Sequence, residues 1–196
     1  MRLPLVTLLA LALLTGCAGI PYEKPEDKIT IQKDLSVKSD DIVTMSQVVW
    51  CFHPYGDMTP CHPKQALAVL TRSKLILARY SSQHYEPIVQ TMASEVMCAH
   101  LQASKDTSPN FYLFTKGYLL QIWPVKPDNQ PDLEKKKLMI DIMVQEGKRS
   151  FVGPEGNFVK DSGRVNETMA VIPNTAIPYI SREEVMQIIN PCMDKR

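Results

Sequence analysis

Two pairs of short apolar runs, each pair split by a polar tip, limit what this chain can fold into. Ala66 to Leu70 and Leu75 to Arg79 flank Thr71-Arg72-Ser73-Lys74, and Phe111 to Phe114 and Tyr118 to Trp123 flank Thr115-Lys116-Gly117. Runs this short, rich in branched and aromatic residues and joined by polar tips, read as β-hairpins. Around them the patterns are mixed. Residues 86 to 103 carry the strongest helical pattern. Pro87 suits a first turn, Ile88, Met92 and Val96 recur at spacing four, and Val89, Ala93, Met97 and Leu101 lie beside them. That spacing predicts a core-facing amphipathic helix. Ser181-Arg182-Glu183-Glu184 has the form of a capping box, which predicts a short C-terminal helix ending at Asn190-Pro191. The fold class expected is α+β. It is an antiparallel sheet of hairpins packed by one amphipathic helix and a short C-terminal helix, braced by disulfides.

Other segments stay open. In residues 39 to 50, Ser39-Asp40-Asp41 could cap a helix, the reading preferred here, yet the β-branched content also suits a strand. Leu138, Ile140, Ile142 and Val144 alternate as in a strand, with Phe151-Val152 as a short partner, although Pro131-Asp132 could instead open a helix. Residues 51 to 64, with three prolines and a glycine, read as a loop. Residues 153 to 180 read as turn-rich, with a strand at Met169 to Ile172 as one option.

The N-terminus has its own signature. Arg2 precedes an apolar run from Leu3 to Leu14, which ends in Thr15-Gly16-Cys17. This is the charged, apolar and small-residue layout of an export signal. The run is shorter than the roughly 20 residues needed to span a bilayer. Leu14-Thr15-Gly16-Cys17 resembles the lipobox of bacterial membrane lipoproteins. The resemblance covers the first 17 residues and names no family for the rest. It implies a diacylglyceryl thioether on Cys17, cleavage between Gly16 and Cys17, and acylation of the new amine. Two or more acyl chains make a stable anchor. Ala18, where retained lipoproteins often carry Asp, implies the periplasmic face of the outer membrane. The organisation expected is therefore a signal peptide at 1–16, a lipid-anchored tether at 17–38 and a single globular periplasmic domain at 39–196. Within the tether, Pro and charge content predict a spacer, with Ile29-Thr30-Ile31 as an edge strand at most.

Of 22 basic residues, Arg2 leaves with the signal, so the mature chain balances 21 basic against 21 acidic side chains. Neutrality argues against nucleic acid as a partner. The run Lys135-Lys136-Lys137 follows Asp132 and Glu134 and reads as a solvated face.

Assigning Cys17 to lipid leaves four cysteines, Cys51, Cys61, Cys98 and Cys192. An even set in an exported chain argues for disulfides. Of three connectivities, Cys51–Cys61 and Cys98–Cys192 are preferred. The first would close a Pro-rich loop, and the second would clamp the C-terminal helix to the long one. Cys51, His53, Cys61 and His62 also crowd into twelve residues, the donor types of a zinc site. Their spacing matches no standard finger, and oxidised cysteines supply no thiolates. His53, Met58 and His62 form a weaker set for copper.

No Gly-x-Ser-x-Gly elbow and no Gly-rich phosphate loop occurs, and no cofactor motif is present. His84 and His100 read as surface or helix-end residues, and Glu95 and Asp141 as isolated carboxylates. No catalytic residue is assigned. The aromatics around Trp50 to Tyr55 and in the second hairpin read first as core. The function expected is non-catalytic, a binding or assembly component tethered to the membrane and working with another envelope protein. The rivals are an envelope hydrolase or redox enzyme, and a metal or small-ligand binder using the Cys51–His62 loop.

Overall fold

The computed structural model describes residues 19–102, 110–145, 149–153 and 158–193. Cys17 and the rest of the lipobox lie outside the described residues. Among those described, the chain is predominantly antiparallel sheet with two α-helices and two disulfides, an α+β fold weighted toward β. Among the described residues eleven strands fall into two sheets. Strands β1 (Ile42–Pro54), β3 (Lys64–Thr71), β4 (Lys74–Ser81), β5 (His84–Met92), β6 (Cys98–Gln102), β7 (Phe111–Phe114), β8 (Tyr118–Val125) and β9 (Arg149–Gly153) make the larger. Its order is β5-β4-β3-β1-β8-β7-β6-β9, antiparallel except for β6 and β9. The short β2 (Gly56–Asp57), β10 (Val159–Val171) and β11 (Pro178–Ile188) make the second, in the order β10-β11-β2.

Both expected hairpins form, β3–β4 and β7–β8. Each tip is stabilised by a threonine. Thr71 Oγ1 accepts from the Ser73 and Lys74 amides, and Thr115 Oγ1 accepts from those of Gly117 and Tyr118. This is the side-chain turn that short polar residues offer the backbone. β1 joins the two hairpins. Residues 42–50 pair with β3, and residues 47–54 pair with β8. Residues 39–50 are thus largely strand, not the preferred helix, with only a 3-10 turn at Ser39–Asp41. Tertiary pairing on both edges outweighs the local cap.

Strict alternation distributes the core over two faces. Ala66, Ala68, Leu70, Leu75 and Leu77 join Trp50, Phe111, Leu113, Leu120 and Ile122 on one face. On the opposite face, Leu67, Val69 and Ile76 form one cluster, while Tyr112, Phe114 and Leu119 form another. Phe111, Tyr112 and Phe114 of the second hairpin are therefore core, divided between the two faces.

Helix α2 (Leu133–Met143) covers the first face. Asp132 caps it, its Oδ1 accepting from Lys135 N at 3.0 Å. Met139 and Met143, four apart, are fully buried. The alternation of Leu138 to Val144 is that of a helix flank, and the helical option at Pro131-Asp132 is the one realised. Lys136 is half buried, and burial lowers its pKa.

Helix α1 (Pro25–Asp34) covers the Leu67 cluster. This corrects the spacer and edge-strand reading of this segment. Pro25 occupies the first position, Glu26 and Asp27 the first turn, and Ile31 and Leu35 bury one face. Three charged residues separate Pro25 from Ile29, and Ile29 itself points to solvent, so the apolar face is too sparse to register as a period. Asp34 ties the helix end to β5. Its carboxylate accepts from Tyr85 N at 2.9 Å and lies 3.3 Å from His84 Nδ1. The Tyr85 amide first, and His84 after it, hold this carboxyl below the usual range against the opposing effect of burial. A carboxyl depressed by folding contributes stability above its unfolded pKa and loses it as pH falls. Asp34→Asn should therefore melt lower than wild type at pH 7, and the gap should close as pH drops through the carboxylate range. Thermal scans across that pH series would show it.

The amphipathic helix expected at 86–103 does not form. These residues make most of β5, a 3-10 turn at Ala93–Glu95 and all of β6. Pro87 sits on the edge strand opposite Ala78, at a register shift, where a missing amide costs least. It also blunts an exposed edge. Ile88, expected inside, is exposed. The C-terminal helix is absent too, since Ser181 to Ile188 belong to β11 and pair with β10. Residues 153–180 contain all of β10, far more strand than the turn-rich reading allowed, and the strand expected at Phe151-Val152 forms as part of β9, paired with β6 and not with residues 138–144.

Candidate functional site

Both disulfides join the preferred partners, Cys51 with Cys61 and Cys98 with Cys192, at Cα separations of 5.9 and 6.1 Å. The elements they join differ from expectation. Cys98 opens β6 beside Phe114, and Cys192 follows β11. Asn190 seats that end, donating from Nδ2 to Thr115 O at 2.8 Å and accepting from Cys192 N through Oδ1. Cys51–Cys61 closes the loop that holds β2, whose Gly56 and Asp57 pair with Ile188 and Gln187. Gly56 has φ +111°, a conformation open to glycine. Tyr55 donates its hydroxyl to Thr115 O at 2.8 Å, and burial pushes its pKa up.

Cys51, His53 and Cys61 bring ligand atoms within 4.8 Å of one another. The two sulfurs bond each other, so they are not thiolates and make a poor metal pair. His53 Nε2 lies 3.4 Å from Gln121 Oε1. His62 is exposed and outside this group, as is Met58. His100, expected at the surface, is fully buried in β6, between the rings of Tyr112 and Phe158 at 5.6 and 5.4 Å. His84 is exposed beside Asp34, and Glu95 accepts from Met92 N. The histidines and carboxylates named in the sequence are not gathered into one constellation.

Sequence reasoning missed the most distinctive surface. β10 and β11 form a long two-stranded arm, registered from Val159↔Ile188 to Val171↔Pro178. Its root is buried. Phe158 packs against Tyr112 and Phe114 at 5.0 and 5.4 Å, Ile188 lies beside them, and Ile189 N donates to Phe158 O at 2.9 Å. A bulge follows at Asp161/Arg164, with Gly163 at φ +72°. An Arg164–Asp57 ion pair and an Arg182–Glu167 pair at 2.8 Å brace the shaft. Beyond them no charge occurs from Thr168 to Ser181. Met169 is 82 % exposed, and Val171, Ile172, Ile177, Tyr179 and Ile180 are also open to solvent. Met169 faces Ile180 and Val171 faces Pro178 across the ladder, so one face of the tip is wholly apolar. The available signal was the uncharged alternation from Thr168 to Ile172, hidden by Pro173, Asn174 and Pro178.

No protein-family model matches the chain, and no curated protein matches it. Among solved structures, it is similar to the DH/PH fragment of PDZRhoGEF in complex with human RhoA. That match has 8 % identity and a TM-score of 0.41, over 62 % of this chain and 33 % of that one. It is similar to Vav1 bound to an allosteric inhibitor at 12 % identity and a TM-score of 0.39, over 58 % and 32 %. It also resembles the hSac2 domain of the human phosphoinositide phosphatase Sac2, at 15 % identity and a TM-score of 0.40, over 68 % and 91 %. The chain spans about a third of the exchange-factor chains it matches. Likeness at this level assigns neither fold family nor activity.

Proposed function

We propose that this protein is a lipid-anchored component of the bacterial envelope that binds another envelope protein through the β10–β11 arm. The anchor rests on the lipobox-like Leu14-Thr15-Gly16-Cys17, and Ala18 favours the outer membrane. The observation that carries the binding role is the apolar, uncharged arm tip. An isolated two-stranded ribbon is marginal in water, and a contiguous exposed apolar patch marks an interaction surface. A protein suits the arm better than the bilayer interior. Among the described residues no other strand pairs with either long edge of the distal ribbon, and such edges present backbone groups that hydrocarbon does not satisfy and an added strand would. Tethering to a membrane raises the effective concentration of such partners.

The test combines labelling and crosslinking in intact cells. Radiolabelled palmitate should enter the wild type and not Cys17→Ala. A photocrosslinker at Tyr179 should give a discrete protein adduct, and Met169→Asp with Ile180→Asp should abolish it without lowering Tm. Label retained by Cys17→Ala would remove the anchor. An adduct that survives the double substitution would remove the arm as the binding surface.

A further inference from the structure

Resting on the proposed acylation of Cys17, we infer that the domain sits directly on the lipid headgroups, with a defined face toward the bilayer. The reason is where the folded body begins. Gly19 is laid against Gln47, whose Nε2 is 2.7 Å from where a Cβ on Gly19 would stand. The same nitrogen donates to Ile20 O at 3.2 Å. Tyr85 donates its hydroxyl to Pro21 O, and Ile20 and Tyr22 pack on the α1 cluster. The segment is therefore part of the fold from Gly19 onward. Cys17 lies two residues away, and an extended chain reaches at most about 7 Å over that length. No spacer remains to lift the domain.

The face so placed surrounds Gly19, Lys24, Gln47 and Pro127, which line one surface hollow with Glu23 and Asp27. It carries both charge signs, so it suits zwitterionic headgroups without an anionic lipid. The orientation also places the arm. Gln47 pairs with Val125 at the end of β8, whereas Pro54 pairs with Tyr118 at its start. The arm root pairs through Ile188 with Gly56, just past Pro54. From Gln47 to Gly56 is roughly 30 Å of extended chain at about 3.3 Å per residue. The root therefore lies at the end of β1 remote from the anchor, which leaves the arm for a partner rather than for the lipid.

The test uses full-length acylated protein in phosphatidylcholine vesicles that contain a nitroxide-headgroup lipid. A fluorescent amino acid is placed at Pro127 or, at the other end of β8, at Lys116. Both sites are exposed. Flotation with the vesicles reports the anchor, and quenching reports the seat. Pro127 should be quenched several-fold more than Lys116. A six-residue Gly/Ser insertion between Ala18 and Gly19 should erase that difference while flotation persists. Equal quenching of the two sites in the floated uninserted protein would overturn the seat and leave the anchor standing. Failure to float would overturn the anchor, and the seat with it.

Discussion

Replacing Cys98 and Cys192 together by alanine is expected to destabilise the folded protein by roughly 4–5 kcal/mol in the chain-entropy model, against about 3 kcal/mol for Cys51 and Cys61. The difference follows from loop length, since the two bridges span sequence separations of 94 and 10. Freeing the longer loop lets the denatured chain expand, so the urea m value should rise as the midpoint falls. The loss should be local as well as global. Asn190, held between Thr115 O and Cys192 N, loses its seat with the bridge, and Ile188 and Phe158 close the arm root beside it. Urea titration of both double variants would check the order. If the short bridge proves the more stabilising, strain or residual denatured structure, not loop entropy, governs this fold.

The second large effect concerns the segment before the sheet. Ile31→Ala should cost about 2–5 kcal/mol, on the order of 10 °C in Tm, because it empties a fully buried site under α1. Ile29→Ala, two residues away and 67 % exposed, should change stability by less than about 0.5 kcal/mol. A spacer would make both substitutions silent, and an edge strand would place the two isoleucines on the same face. The contrast is therefore specific to a packed helix. It also bears on the proposed membrane seat, since Tyr85 holds both Asp34 at the end of α1 and Pro21 ahead of it. Loosening α1 should loosen the segment from Gly19 to Tyr22 too.

The two hairpins could be read because their determinants are local. Apolar runs of the right length flank a turn whose threonine satisfies the backbone within three residues. Trp50 and Phe111 were legible as core for a similar reason, being large and apolar. The helix expected at 86–103 failed on competition between levels. Spacing four at Ile88, Met92 and Val96 is a helical period, but β4 offers a ladder partner from Lys74 to Ser81. Pro87 carries two meanings, helix start or edge strand, and position in the sheet decides between them. The C-terminal capping box failed likewise once β10 ran alongside it. Of the candidate site, the donor types around Cys51 were legible, while the closeness of His53 to both sulfurs and the remoteness of His62 came from the strand geometry.

What the sequence alone determined were properties set by covalent chemistry and near neighbours. These are the even cysteine set after Cys17, the near-balanced charge of +1, the two polar-tipped hairpins and the lipobox resemblance that motivates an anchor. The tertiary structure decided everything that depends on long-range pairing. It turned residues 25–34 into a packed helix, converted three expected helices into strands, and raised the arm. The physical reason is the same in each case. A strand is stabilised by a neighbour distant in sequence, and an amphipathic face by the surface it covers, so the outcome is not encoded within any short window.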